Sequence, residues 1–190
     1  MLQHPEFGLV VCNGYRHVGQ QDILLIDAPE QVQADPLAAL GHGNWLSSCG
    51  ALYRSDKVSP ECFDPTVSHL EWTYLAYSLS LRCKVGMICE PGFRIHDTPT
   101  SLSKSPAYQE GLINALRKVS LLPLPARIQH QVQRRISAAH HDLAEQRLRR
   151  GELKGAWQHH IHSLLKRGGW RYFLFARHLL RAKATSSRAA

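Results

Sequence analysis

The five cysteines are the side chains whose chemistry is most directly limited by spacing. No two of them form a C-x-x-C pair, and their odd number argues against a disulfide framework. The same spacing argues against a structural zinc site, which draws on closely spaced cysteine or histidine ligands. We therefore predict reduced, mostly buried thiols, as in a cytoplasmic protein. The cysteines are Cys12, Cys49, Cys62, Cys83 and Cys89.

Several familiar catalytic and binding motifs are missing from the chain. The zinc-protease pattern H-E-x-x-H, the phosphate-binding loop G-x-x-x-x-G-K-[ST] and the dinucleotide fingerprint G-x-G-x-x-G do not occur. One carboxylate nevertheless stands out, because Ser68 and Glu71 form the S-x-x-E pattern of a capping box, which predicts a helix start. A carboxylate at a helix N-terminus stays ionised, so Glu71 suits either capping or proton transfer.

The order of the short segments between residues 44 and 104 is more informative than any single motif. Six segments follow one another: Asn44-Trp45, Cys49-Gly-Ala-Leu-Tyr-Arg54, the Phe63-Asp-Pro loop, a helix from Leu70, a strand from Lys84 and the run from Phe93 to Ser103. This order resembles the C-terminal half of a family 2 glycosyltransferase with the GT-A fold. That family has the segments (S)GALFRR, GGFDE, ED-x-D-L-W-L-R and YR-x-H…S-x-S. The resemblance covers roughly residues 5–110 and is firmest from 45 to 104.

The resemblance implies inverting transfer of a sugar from a nucleotide-diphosphate sugar to an acceptor hydroxyl, in cell-surface polysaccharide or lipopolysaccharide synthesis. This reaction needs a carboxylate to take the acceptor proton and a cation to stabilise the departing diphosphate. Glu71 matches the position of the family's catalytic aspartate. His96 matches the histidine that completes a Mn²⁺ or Mg²⁺ site, and a loop histidine bonded to the backbone is its alternative reading.

The resemblance also implies residues that contact the two substrates. Arg94, Ser101 and Ser103 are expected at the diphosphate, where a guanidinium makes charge-assisted hydrogen bonds. A solvated Arg94 is the alternative. The acceptor-side candidates are Trp45, Arg54 and Trp72. Tryptophans at such positions more often pack in a core than serve as platforms for a sugar, and Trp45 is the better platform candidate.

The family's N-terminal half has no counterpart in this chain. That half carries the nucleotide-binding strands and the Asp-x-Asp or paired Asp that holds the metal, and neither pattern occurs here. Asp22 and Asp27 have the wrong spacing to replace it. We therefore expect a truncated glycosyltransferase-like chain that lacks most of the donor site on its own.

Residue periodicity predicts an α/β domain over residues 1–120, and the resemblance implies that its sheet is a partial GT-A sheet. Strands are expected at Phe7–Cys12, Asp22–Asp27 and Lys84–Glu90, with a turn at Asn13-Gly14 and a strand end at Pro91-Gly92. Helices are expected from Asp35-Pro36, over Ser68–Leu81 and from Ser105-Pro106 to Ser120.

The last third of the chain has a different composition. Residues 1–120 carry a net charge of −3 and residues 121–190 carry +11, with the proline-containing segment Leu121–Pro125 between them. Three amphipathic stretches separated by Gly151 and Gly168-Gly169 predict an antiparallel helical appendage over residues 121–190. Its basic surface suits an anionic membrane that presents a lipid-linked acceptor. Nucleic acid is disfavoured, because no aromatic residues interleave the basic ones in a known motif.

Two functions follow from these observations. The first is a glycosyltransferase-like protein whose partners are a nucleotide-diphosphate sugar and a glycan or lipid-linked acceptor. The alternative is a non-enzymatic helical interaction module that uses the basic C-terminal helices. The chain has no uncharged apolar run of bilayer length and no signal peptide, which predicts a cytoplasmic location, peripheral at the inner face of the membrane.

Overall fold

The computed structural model describes residues 3–98, 101 and 106–188, without the side chains of Pro106 and of residues 183–188. These residues form an α/β fold with a mixed sheet, as expected at that level. The strands are β1 (Phe7–Val18), β2 (Gln21–Leu24), β3 (Ala51–Tyr53) and β4 (Lys84–His96). The helices are α1 (Pro29–Ala34), α2 (Pro36–Ala39), α3 (Glu71–Arg82), α4 (Pro106–Val119), α5 (Ala126–Arg149), α6 (Leu153–Leu164) and α7 (Ala176–Arg188), and short 3₁₀ turns occupy Ser48–Gly50, Pro60–Cys62 and Gly169–Phe175.

Strand β1 lies at the centre of the sheet. Strand β4 runs parallel to it along one edge, from Phe7 to His17. Strands β3 and β2 share the other edge, where both are antiparallel to β1, β3 beside its first half and β2 beside its second half. This central position explains the apolar start of β1, since Leu9 and Val11 are completely buried.

The turn predicted at Asn13-Gly14 is wrong, because β1 continues through both residues and the chain turns at Gly19, where φ is +62°. The Asn13 amide group donates to the Ile26 carbonyl at 2.9 Å, and its oxygen accepts from the Gly14 and Ile26 N–H groups at 2.9 and 3.1 Å. A Cβ on Gly14 would lie 2.5 Å from the Phe93 ring. These residues therefore fix neighbouring segments against the sheet instead of ending a strand.

The strand end predicted at Pro91-Gly92 is also wrong, because β4 extends to His96. The pairing with β1 shifts between Cys12 and Asn13, where Pro91 enters opposite Asn13 after an irregular stretch. A β-bulge accommodates a proline, which lacks the N–H that a regular ladder needs. The strand expected at Lys84–Glu90 is thus the first part of one longer strand.

Three helix starts were predicted from capping patterns. Helix α4 begins at Pro106, as Ser105-Pro106 predicted, although Ser105 itself lies outside the described residues. Of the other two starts, one is confirmed. The Asp35 carboxylate accepts from the Ala38 N–H at 2.9 Å, and Pro36 is the first residue of α2. The capping box of Ser68 with Glu71 is wrong, because α3 begins at Glu71 itself and Leu70 is its N-cap, without a side-chain hydrogen bond. A capping box needs the glutamate at the third helical position, and this helix begins two residues later.

One hydrophobic core joins the sheet to helices on both sides of Leu121–Pro125. Leu9 of β1 and Leu75 of α3 belong to it, and so do Val132 and Ile136 of α5. The Arg135 guanidinium also donates to the Leu40 carbonyl at 3.0 Å. The first half of α5 therefore packs on the α/β part of the molecule, although it follows the segment Leu121–Pro125 that was predicted to be a linker.

Helices α5 and α6 form an antiparallel pair. The Ser137 hydroxyl donates to the Ser163 carbonyl at 3.0 Å, and the Ser163 hydroxyl donates to the Ser137 carbonyl at 2.8 Å. The predicted glycine breaks are confirmed, with φ of +76° at Gly151 and +80° at Gly168. The third amphipathic stretch begins as a 3₁₀ turn and becomes α-helical only at Ala176. Within the described part of the chain, no helix has the length and apolarity to cross a membrane.

Candidate functional site

A pocket of about 370 Å³ opens on one face of the sheet, beside the start of α3, and we call it the aromatic pocket. It brings together Trp45 and Trp72, the two tryptophans that the sequence placed on the acceptor side. Polar and further aromatic side chains complete its wall. Those that matter most for its chemistry are Arg16, Asn44, His69, Phe93 and Tyr108. The pocket therefore combines accessible ring surface with one cation and several hydrogen-bonding groups.

The alternation of side chains along β4 decides which predicted residues face the aromatic pocket. Phe93 and Ile95 line it, and Arg16 of β1 lies beside Ile95 in register. Since successive side chains on a strand point to opposite faces, Arg94 and His96 lie on the other face of the sheet. The structure thus separates the two tryptophans from the two residues predicted to hold the diphosphate and the metal.

On that other face, Arg94 and His96 belong to a charged cluster with Asp22 and His17. The Nδ1 atom of His17 lies 2.7 Å from one Asp22 carboxylate oxygen, and Arg94 donates to the other oxygen at 2.5 Å. The His17 and His96 rings meet edge-on, with centroids 5.1 Å apart. The hydrogen bond from His17, with a further contribution from Arg94, lowers the pKa of Asp22.

The charged cluster does not fit a divalent metal ion. Both Asp22 oxygens already accept hydrogen bonds, and the Arg94 charge beside them would repel a cation. Mn²⁺ and Mg²⁺ prefer several oxygen ligands. Among residues 3–98, 101 and 106–188, no group of three His, Cys, Asp or Glu side chains could hold a metal. The metal role of His96 stays a prediction made by the resemblance.

The structure describes only one of the two serines that were predicted to contact the diphosphate. The Ser101 N–H donates to the Thr98 carbonyl at 3.2 Å. Ser103 lies outside the described residues. Their diphosphate roles stay predictions, together with that of Arg94, whose side chain is half-exposed and ion-paired with Asp22.

Glu71 is exposed at the first position of α3, as a base at a helix N-terminus would be. It lines a second pocket of about 300 Å³. Trp72 lines both this second pocket and the aromatic pocket. Burial is the main cause that raises the pKa of Tyr108; Arg16 lowers this pKa and Glu71 raises it.

The three acceptor-side candidates occupy different environments. Trp45 is 4% exposed, and its indole N–H donates to the Pro36 carbonyl at 2.8 Å, as expected for a tryptophan that packs in the core. Trp72 is half-buried and offers more accessible surface to the pocket. Arg54 makes two hydrogen bonds to Asp56, at 2.8 and 2.9 Å, and does not line the aromatic pocket.

Sequence reasoning missed three residues of the aromatic pocket. Arg16 and Tyr108 approach it from β1 and α4, and only the strand register and helix packing show that they meet. His69 carries the positive φ of a left-handed residue, 71°, next to the start of α3. Such backbone is uncommon outside glycine and often marks a functional segment. No local sequence pattern predicts the positive φ of His69.

Comparison with known proteins leaves the family open. No family model matches the chain, and neither a curated protein nor a solved structure matches it at a significant level.

Proposed function

We propose that this chain is a glycosyltransferase-like protein with a partial GT-A-like sheet, and that the aromatic pocket binds a sugar of the acceptor. The reaction is inverting transfer from a nucleotide-diphosphate sugar to an acceptor hydroxyl, in cell-surface polysaccharide or lipopolysaccharide synthesis. The observation that carries the proposal is that Trp72 and Tyr108, separate in sequence, offer partly accessible rings to one pocket.

The chemistry of the aromatic pocket suits a sugar ring. The C–H faces of a hexose pack on aromatic rings, and its hydroxyls need hydrogen-bonding groups around the ring edge. Trp72 and Tyr108 supply partly accessible rings, while Asn44 and Arg16 are exposed polar groups at the same pocket.

Glu71 is the general base of the proposed transfer. A base must be ionised and within reach of the hydroxyl whose proton it removes. Glu71 is solvent-exposed at the first position of α3, where an acceptor hydroxyl can reach it. It lines the neighbouring pocket of about 300 Å³, to which Trp72 also belongs, so an acceptor that extends past Trp72 would bring a hydroxyl towards the carboxylate.

Titration of the ¹⁵N-labelled full chain with methyl hexosides tests the binding step, with the Trp72 indole N–H as reporter. We expect the Trp72 signal to shift, and Trp72→Leu to weaken binding by about tenfold, roughly 1.4 kcal/mol. The matched control is Trp157→Leu, which removes another half-buried indole, on α6 and outside the pocket. The proposal fails if no hexoside shifts the Trp72 signal or if both variants bind alike.

Substitution of Glu71 tests the chemical step separately. Glu71→Gln keeps the shape of the side chain but removes the proton acceptor, so we expect unchanged hexoside binding and loss of sugar transfer. Transfer is measured with a panel of uridine- and guanosine-diphosphate sugars in the presence of Mg²⁺ or Mn²⁺. Equal transfer rates for the variant and the wild-type chain would exclude Glu71 as the base.

The alternative function, a non-enzymatic helical interaction module, is supported by a different observation. Large apolar side chains near the C-terminus are exposed, among them Leu165 at 76% and Trp170 at 78%. An interaction module would depend on these residues and would be indifferent to Glu71→Gln. Comparison of the two sets of variants in one binding and transfer assay therefore distinguishes the two functions.

A further inference from the structure

Several large apolar side chains are exposed in and next to the 3₁₀ turn Gly169–Phe175. Trp170 and Phe173 are 78% and 67% exposed, and they lie three residues apart, which places them on one face of a 3₁₀ helix. Leu165 and Leu174 beside them are 76% and 60% exposed. We call these four residues the apolar tip. A group of large exposed apolar side chains marks an interaction surface.

Basic side chains surround the apolar tip. From Leu153 to the end of the chain there are eight Lys and Arg and no Asp or Glu. Arg167, Arg171 and Arg177 are all exposed. Glu145 of α5, which lines a pocket together with Phe175 and His178, already pairs with Arg149 at 3.1 Å. A partner of the apolar tip must therefore be anionic at its surface.

Charge and apolarity together select one kind of partner. Nucleic acid offers negative charge, but its backbone gives no apolar depth for Leu165 and Leu174. An anionic bilayer offers both, because its phosphates bind arginine while tryptophan, phenylalanine and leucine enter the boundary between headgroups and acyl chains. Trp170 is the residue type most enriched at that boundary.

We infer that the apolar tip inserts into the headgroup region of an anionic phospholipid membrane, with the arginines around it bound to lipid phosphates. The contact extends the proposed function, since it would hold the aromatic pocket near a lipid-linked acceptor. It does not depend on that function, because lipid binding needs neither a sugar nor Glu71. Failure of one proposal therefore leaves the other intact.

Co-sedimentation of the full chain with vesicles tests the inference. We expect binding to vesicles that contain phosphatidylglycerol and none to pure phosphatidylcholine, with affinity that falls as salt rises. The double variant Trp170→Ser/Phe173→Ser removes apolar area but no charge, and we expect it to bind about tenfold more weakly. Arg167→Glu/Arg171→Glu keeps the apolar tip and should lose at least as much affinity.

Matched controls distinguish membrane binding through the apolar tip from nonspecific hydrophobic or electrostatic adsorption of the chain. Leu52→Ser/Leu121→Ser removes two leucines that are 66% and 85% exposed on other parts of the chain. Lys84→Glu reverses an exposed charge on β4, in the α/β part of the chain. Both should bind like the wild-type chain. The inference is overturned if phosphatidylglycerol vesicles do not bind, or if Trp170→Ser/Phe173→Ser binds unchanged. The inference is also overturned if the chain binds a homopolymer RNA more tightly than vesicles. A chain that self-associates through the apolar tip and then does not bind vesicles overturns it too.

Discussion

The histidines between α5 and α6 are unusual because several are buried with few hydrogen-bond partners. His140 and His160 are 2% and 1% exposed. Among the described residues, no partner reaches either ring nitrogen of His160 or Nε2 of His140. Burial lowers the pKa of His140 to about 4, helped by the nearby His159 and His162, and burial also lowers the pKa values of His159 and His160. The native protein therefore holds these imidazoles neutral.

This arrangement predicts that stability falls in mild acid. The unfolded chain binds a proton at each histidine near pH 6.5, whereas native His140 does so only near pH 4. The stability that depends on neutral His140 is present above pH 6.5 and is lost as the pH falls towards 4. We expect the free energy of unfolding, measured in urea, to drop by roughly 2–3 kcal/mol between pH 7.5 and 4.5.

The residue responsible is tested by His140→Gln, which removes the titrating ring. The variant is less stable at pH 7.5, because it leaves a gap, but its stability should depend less on pH than that of the wild-type chain. The exposed His42 provides the control, since His42→Gln should leave the pH dependence unchanged. A wild-type chain that is equally stable at both pH values would contradict the prediction.

At the scale of the elements, Phe93 of β4 depends on two glycines beneath its ring. A Cβ on Gly14 would lie 2.5 Å from this ring, and a Cβ on Gly50 would overlap it as well. We expect Gly14→Ala to cost about 1–3 kcal/mol in the free energy of unfolding, because the ring must move or the strands must separate. Since Phe93 lines the aromatic pocket, the same change should weaken hexoside binding.

Two further variants show whether the ring is the cause. Phe93→Leu replaces the ring by a smaller side chain, so Gly14→Ala should cost less in that background than in the wild-type chain. Gly43→Ala is the matched control, because a Cβ there meets nothing within 4 Å. Equal costs of Gly14→Ala in both backgrounds would show that the Phe93 ring is not what requires the glycine.

The elements were predictable where the signal is local, and less so where it depends on pairing. Asp35-Pro36 began a helix as expected, and Gly151 ended one, since both act within one turn of backbone. Asn13-Gly14 resembles a turn in isolation, and only its contacts with Ile26 and Phe93 keep it in a strand. Local sequence cannot show such contacts between distant segments.

The candidate site follows the same rule. The resemblance selected Trp45 and Trp72, which share the aromatic pocket, but Arg94 and His96 lie on the opposite face of the sheet. Their position depends on the bulge at Pro91, because an irregularity of pairing changes which face each later residue takes. The order of motifs can be found in the sequence of short segments, but strand register depends on pairing between distant segments.

At the scale of the whole molecule, charge and packing divide the chain differently. The net charge changes sign near residue 121, which suggested two domains, 1–120 and 121–190. The core, however, contains Val132 and Ile136 of α5 together with Leu9 of β1. Charge describes the surface that each part presents to partners, whereas the shared core determines which parts unfold together.

The shared core predicts that a cavity in α5 destabilises the distant strand β1. Val132 is completely buried, and we expect Val132→Ala to cost about 2 kcal/mol. Native-state hydrogen exchange should show the β1 amides of Leu9 and Val11 losing as much protection as those of α5, because both open in one cooperative unit. Ile161→Ala, at a residue that is 50% exposed, should change neither. If α5 loses protection while β1 keeps it, residues 121–190 form an independent folding unit, and the aromatic pocket does not need them to stay folded.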